Sequence, residues 1–167
     1  MPLILRHTRP ATSAGLCYGR ADLALAPGWE AEADALLLSL PPVGALRSSP
    51  LTRCRQLAER IAAGRGLPLV IDARLTEIDF GAWETRPWDD IPRAELDAWA
   101  ADFHHARPHG GESVAMLAAR VAQALADDVP GTLWVAHAGV ARAVAALTGH
   151  PDGWDLRLDH GAVVSLG

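Results

Sequence analysis

Leu3-Ile4-Leu5-Arg6-His7-Thr8-Arg9-Pro10 is the stretch whose reading decides the fold. Its three branched apolar residues predict a short buried strand. Pro10 stops any regular continuation. An arginine and a histidine therefore fall at the carboxyl end of a buried strand, where open α/β sheets place their ligands. A neutral imidazole can attack phosphorus, and a neighbouring guanidinium can hold phosphate oxygens bidentately. Taken alone, the octet reads as a surface Arg-His pair; the rest of the chain changes that reading.

Downstream, Ala11 to Pro27 is a Gly- and Ala-rich loop containing Cys17-Tyr18-Gly19-Arg20, and loops of that length tend to be functional. A helix is predicted from Trp29 to Leu40, ended by Pro41-Pro42. Ala45-Leu46-Arg47-Ser48 predicts a second strand, with Ser49 as N-cap and Pro50 as first residue of the next helix. Leu51, Cys54, Leu57, Ala58, Ile61 and Ala62 share one face of that helix, with Gly64 near its end. Pro68 to Asp72 predicts a third strand, and Arg74 to Trp88 is aperiodic. Pro92 opens a helix to about Phe103, and His104 to Gly111 is a polar loop. Glu112 to Asp127 is helical, Thr132 to Ala136 is a fourth strand, Val140 to Thr148 is a helix closed by Gly149, and Ala162 to Leu166 is the last strand. Strand and helix alternate, which predicts an α/β fold: a mainly parallel sheet with helices on both faces.

Composition narrows the function classes. At 167 residues the chain is expected to form one domain, 1–167. The apolar runs are too short to span a bilayer, and Arg6 and His7 arrive too early for a secretory signal. Cys17 and Cys54 stand alone, which suggests a reduced, cytoplasmic setting, and no spacing supports a disulfide between them. A formal charge of −5 argues against general nucleic-acid binding. All fifteen basic residues are arginine, which removes a P-loop lysine and a Schiff-base lysine. There is neither a G-x-S-x-G elbow nor a G-x-G-x-x-G loop, and no zinc-like spacing.

Three strand ends now carry chemistry: Arg6-His7, Ser48 to Arg53, and His137. A parallel sheet would bring them to one edge. Two histidines and two arginines there form a pocket for a dianion, and phosphoryl transfer needs mainly positioning and positive charge. Arg53 supports this, because a cation in the first turn of a helix opposes the helix dipole. The residues alone leave the general acid open among Glu77, Asp79 and Glu84.

Five segments carry a family resemblance, in order along nearly the whole chain. They are Leu5-Arg6-His7, Ser48-Ser49-Pro50-Leu51-Thr52-Arg53, Leu75 to Glu84, Gly110-Gly111-Glu112-Ser113 and Val135-Ala136-His137-Ala138-Gly139. The chain resembles the histidine phosphatase superfamily, also called phosphoglycerate mutase-like. The resemblance implies a three-layer αβα sandwich. It makes His7 the nucleophile that becomes phosphohistidine, and Arg6, Arg53 and His137 the phosphate clamp. Glu77 would protonate the leaving oxygen and then activate water. Ser13, Arg20 and Ala138 would contact substrate, and no metal or other cofactor is implied.

Two positions depart from the family pattern. Thr8 stands where the usual glycine follows the nucleophile, and Ser13 stands for the usual asparagine, in a chain with no asparagine at all. Arg-His-Thr followed by Gly15-Leu16-Cys17-Tyr18-Gly19-Arg20-Ala21-Asp22 resembles the α-ribazole phosphatase branch. The implied function is a phosphomonoesterase acting on a small phosphorylated metabolite, α-ribazole 5′-phosphate in cobalamin assembly, as a monomer or homodimer away from membranes and nucleic acid. Open alternatives are a phosphohistidine or other small-phosphate phosphatase, a mutase, and a non-catalytic phospho-ligand module. Lack of the insertions typical of mutase members favours a phosphatase, and a pure binder has no need of Glu77.

Other residues receive plainer expectations. His104, His105, His109 and Glu112 read as a solvated loop, since no spacing aligns them as metal ligands. Trp83, Trp88 and Trp99 read as core or cap packing ahead of a cradle for a flat substrate. Arg9 and Arg20 are expected near the pocket mouth.

Overall fold

The computed structural model describes residues 1–166. Five strands, β1 (Leu3–Arg6), β2 (Ala45–Ser48), β3 (Leu69–Ile71), β4 (Thr132–Ala136) and β5 (Val163–Ser165), form one sheet in the order β3-β2-β4-β1-β5. Pairings β1–β4, β2–β4 and β2–β3 are parallel, and β5 closes the far edge antiparallel to β1. Five α-helices accompany them: α1 (Trp29–Ser39), α2 (Thr52–Arg65), α3 (Arg93–Ala101), α4 (Val114–Ala126) and α5 (Ala138–Thr148). The predicted three-layer α/β sandwich is observed.

Its two cores follow from strand alternation, since successive side chains point to opposite faces. Leu5, Leu46, Leu133 and Val135 face one side with Ala33 of α1 and Cys54, Leu57 and Ile61 of α2. Ile4, Trp134 and Ala136 face the other with Val114, Leu117 and Val121 of α4 and Val140 and Val144 of α5. Every residue of β4 is buried, as a central strand covered on both faces must be.

Some boundaries differ from expectation, for physical reasons. Helix α2 begins at Thr52, and Ser49 does not cap it. Asp22, thirty residues earlier, accepts from the Thr52 amide and hydroxyl at 2.7 Å each. It thereby brings an anion to the helix N-terminus. The helix ends at Gly66, in the left-handed region (φ 64°), rather than at Gly64. Gly64 lies inside the helix, where a Cβ would sit 2.8 Å from Leu37. Helix α4 begins at Val114 because Ser113 caps it, accepting from the Met116 amide at 3.2 Å. Helix α5 begins at Ala138, directly after His137. Helix α3 stops at Ala101, short of Phe103, and three short 3-10 turns occupy much of the aperiodic stretch before it. No helix among the described residues is long and apolar enough to cross a membrane.

Candidate active site

The register of three strands assembles the floor of the site. Arg6 pairs with Ala136 across β1–β4, and Ser48 with Val135 across β2–β4. The ladder runs on past the strand ends: the His7 amide donates to Ala136 O at 3.1 Å and the Ser49 amide to Val135 O at 3.1 Å. His7, Ser49 and His137 are thereby brought to one edge, and the rings of His7 and His137 meet edge-on at 5.2 Å.

His7 is almost fully buried. Its Nδ1 donates to Thr8 O at 2.7 Å, since a carbonyl can only accept. That tautomer leaves a lone pair on Nε2, which accepts from Arg53 Nε at 3.3 Å. Burial first, then Arg53, His160 and Arg6, hold the His7 pKa well below that of ordinary histidine. The ring is therefore neutral, with a fixed tautomer and a lone pair on Nε2. His137 is held low by burial and then by Arg53, and its Nε2 lies 2.8 Å from Ser49 Oγ.

Arg53 is fully buried, and its guanidinium spans two regions. Its Nη1 and Nη2 donate to Ala21 O (2.7 Å) and Gly19 O (2.6 Å) of the first long loop. Tyr18 of the same loop lies beneath it, 5.3 Å from guanidinium carbon to ring centre. Arg6 donates through Nη1 to Leu158 O at 2.6 Å and through Nη2 to His160 Nε2 at 3.0 Å. Its buried Nε has no partner among the described residues.

Three carboxylates competed for the acid role in the sequence, and the fold separates them. Glu77 lines the cavity above His7. Its Oε1 accepts from the Ile78 amide and its Oε2 from the Gly139 amide, both at 2.9 Å. A Cβ at Gly139 would fall 2.1 Å from Glu77 Oε1, so any other residue there would displace the carboxylate. Glu84 instead accepts from four backbone amides, those of Gly19, Arg20, Ala21 and Phe80, at 2.8–3.0 Å. It staples the first loop to the second. Asp79 accepts from the Gly81 amide at 2.8 Å and lies outside the cavity.

The cavity has a volume of about 240 Å³ and is bounded by Arg6, His7, Arg53, Glu77, His137 and Ala138 among others. Six of the eight residues expected at the site thus converge. Ser13 and Arg20 do not: neither lines this cavity, and Arg20 is exposed over a separate depression beside Asp79 and Arg107. A wider depression, about 700 Å³ between α1 and α2, shares no residue with the site.

The expectation for two residues of the polar loop is corrected: His109 and Glu112 are buried rather than solvated. His109 Nδ1 accepts from the Gly111 amide, and Glu112 forms a two-pronged pair with Arg120 at 2.8 Å on each oxygen. No group of three or more potential metal ligands gathers among the described residues. Cys17 and Cys54 are both free. Trp83 is core, donating to Glu95 at 2.6 Å, whereas Trp88 lines the cavity beside His7.

Sequence reasoning missed Tyr18, Arg142 and His160. His160 packs on His7 with ring centres 5.4 Å apart and accepts from Arg6, while Tyr18 Oη approaches its Nε2 at 3.4 Å. Burial, then Arg6 and Arg9, push its pKa down to about 4, which keeps that acceptor available. His160 sits in coil between Leu158 and β5, where no periodicity marks it. Its only cue is a histidine just before a strand edge that pairs with β1.

Comparison with known proteins places this geometry in a family. Residues 3–167 match the model of the histidine phosphatase superfamily (branch 1). The adenosylcobalamin/alpha-ribazole phosphatase of Salmonella typhimurium is 30% identical over 172 residues, covering 95% of this chain and 85% of that protein. Among solved structures, TTHB049 from Thermus thermophilus superposes with a TM-score of 0.78 at 31% identity, covering 97% of this chain and 90% of that one. The mycobacterial glucosyl-3-phosphoglycerate phosphatase does so with a TM-score of 0.77 at 28% identity, covering 97% and 87%.

Proposed function

The chain belongs to the histidine phosphatase superfamily, and from that premise we propose that it is a metal-independent phosphomonoesterase working through phosphohistidine at His7. One observation carries the reading: His7 is a buried neutral imidazole whose Nδ1–H is tied to Thr8 O, while its Nε2 lone pair faces Arg53 and a small cavity.

The chemistry follows from that geometry. His7 Nε2 attacks phosphorus, the P–N bond forms and the P–O bond to the alcohol breaks. Arg6, Arg53 and His137 surround the transferring group and take up charge on its equatorial oxygens. Glu77, as the general acid, gives a proton to the departing oxygen. As carboxylate it then takes one from water, which attacks the phosphohistidine and releases phosphate. The arginines supply the positive charge that a metal would otherwise bring.

For the natural substrate we propose α-ribazole 5′-phosphate, in a cytoplasmic setting. The Salmonella relative and the loop Gly15 to Asp22 support this.

Rapid quench in alkaline denaturant during turnover of p-nitrophenyl phosphate with EDTA present tests the mechanism. The expected result is an acid-labile, base-stable phosphate on the peptide containing His7. An acid-stable adduct, label on another residue, or activity that chelation abolishes and a divalent ion restores would overturn it. A screen of phosphorylated metabolites tests the substrate.

A further inference from the structure

A second cavity, about 410 Å³, adjoins the catalytic one. The two share four wall residues, Ile78, Phe80, Gly139 and Arg142. Two of these hold the proposed acid, since the Ile78 and Gly139 amides are the donors to the Glu77 carboxylate. A general acid must lie within hydrogen-bond reach of the oxygen it protonates. On that reading the bond being broken sits beside the wall between the cavities, and the second cavity is open to the alcohol half of the ester.

That second cavity is built for a particular kind of group. The chain has nine aromatic residues, yet both phenylalanines, Phe80 and Phe103, and two tryptophans, Trp99 and Trp154, line it. All four are only partly buried against the core. They form a continuous run: Phe80–Trp99 at 6.3 Å, Trp99–Phe103 at 5.6 Å and Phe103–Trp154 at 5.9 Å between ring centres. Half-buried rings offering edges and faces to an open cavity fit a planar partner. The charged lining residues, Arg142 and Asp155, are of opposite sign, so the cavity does not select for an anion. At about 240 Å³ the catalytic cavity is smaller than the roughly 300–1,000 Å³ usual for a whole small-molecule ligand. It suits a phosphate and little more, and the remainder of the substrate needs the annex.

We propose that this annex is a leaving-group subsite that takes a neutral alcohol carrying a planar aromatic body. The inference rests on the phosphomonoesterase reading and goes beyond it, because it assigns Phe80, Trp99, Phe103 and Trp154 to substrate selection. Arg142, whose Nε donates to Leu156 O at 3.0 Å, keeps its guanidinium at the junction. There it can lie flat on a ring entering the annex.

Steady-state kinetics on three substrates tests it: 2-(1-naphthyl)ethyl phosphate, glycerol 3-phosphate and 3-phosphoglycerate. Burial of the ring is expected to favour the naphthyl ester by about tenfold or more in kcat/KM over glycerol phosphate. 2-(1-Naphthyl)ethanol is expected to inhibit. Phe103→Ala, which widens the annex, and Phe103→Trp, which fills it, should each shrink the ratio of naphthyl to glycerol ester; reading a ratio within each variant removes the effect of partial unfolding. Equal kcat/KM values for the three esters, preference for the carboxylate-bearing one, or a ratio untouched by both variants would overturn the subsite. In that event, turnover of p-nitrophenyl phosphate would leave the phosphatase reading standing. Absence of turnover with every phosphoester would instead strike at the phosphatase reading.

Discussion

The floor and the wall of the catalytic cavity are built in different ways. The floor, with His7, Ser49 and His137, is set by backbone register between β1, β4 and β2. The wall, residues 15–22 and 77–88, contains no α-helix or ladder strand. Its two segments are joined by backbone bonds, Cys17 and Trp88 amides to Arg86 O and Gly15 O and the Thr85 amide to Cys17 O, and are anchored to the rest of the molecule by side chains that satisfy backbone groups. Glu84 gathers four amides, Arg53 takes the carbonyls of Gly19 and Ala21, and Asp22 caps α2. A floor made by register is stiff, because shifting it disrupts the whole ladder. A wall anchored by a few charged side chains concentrates its stability in those residues.

Glu77 is where the two meet, a wall residue seated on the floor's Gly139 amide, so its loss should have the largest effect. Glu77→Gln is expected to slow His7 phosphorylation by an alkyl phosphate by about 10²–10⁴-fold. p-Nitrophenyl phosphate should lose far less at that step, since its leaving group departs without a proton. Pre-steady-state kinetics on both esters checks this, and equal losses would remove Glu77 from the acid role.

Breaking the wall alone should cost stability more than chemistry. Glu84→Ala leaves four amides without their carboxylate, and a loss of about 3 kcal/mol is expected at the scale of hydrogen bonds to charged groups. Thermal unfolding reads the loss, and limited proteolysis should cut first within residues 11–27. KM is expected to rise more than kcat falls. A variant as stable as the parent would mean that Arg53, Asp22 and the backbone bonds to residues 85–88 hold the loop without the carboxylate.

Taken over a single pH unit, the smallest effect is graded and belongs to the floor. His7 and His137 stay neutral in the folded chain because their pKa values are depressed, whereas unfolded histidines titrate near about 6.5. Below that pH the unfolded chain binds the extra protons, so stability is full above it and falls on acidification. The slope approaches about 1.4 kcal/mol per pH unit for each such histidine. Melting temperatures between pH 8 and 5 check the sign, and a flat or rising profile on acidification would contradict the buried neutral pair.

The same contrast explains what the sequence made legible. Arg6-His7, Arg53 and His137 stand beside short apolar runs, so local pattern placed them and the sheet brought them together. The wall is non-local. Nothing near Thr52 announces that its cap is Asp22, so Ser49 looked like the cap; its hydroxyl instead faces His137. Glu77 and Glu84 are equivalent as residue types, and only the three-dimensional path of 75–84 separates a carboxylate in the cavity from a staple behind it. His160 was missed because it acts across 154 residues on Arg6 from a stretch of coil. His109 and Glu112 were read as solvated because their partners, the Gly111 amide and Arg120, become visible only once α4 is docked.

One topological fact bears on how the molecule comes into being. Strand β4, drawn from residues 132–136, lies between β1 and β2 and supplies a hydrogen-bonding edge to both. A growing chain therefore exposes the apolar sides of β1 and β2 for more than eighty residues after β2 before their shared neighbour exists. Closing so long a loop around a parallel insertion is intrinsically slow. Until it happens, His7 has neither Ala136 nor His137 beside it. Phosphate affinity should thus appear late and all at once during refolding, together with burial of Trp134 at the centre of the sheet.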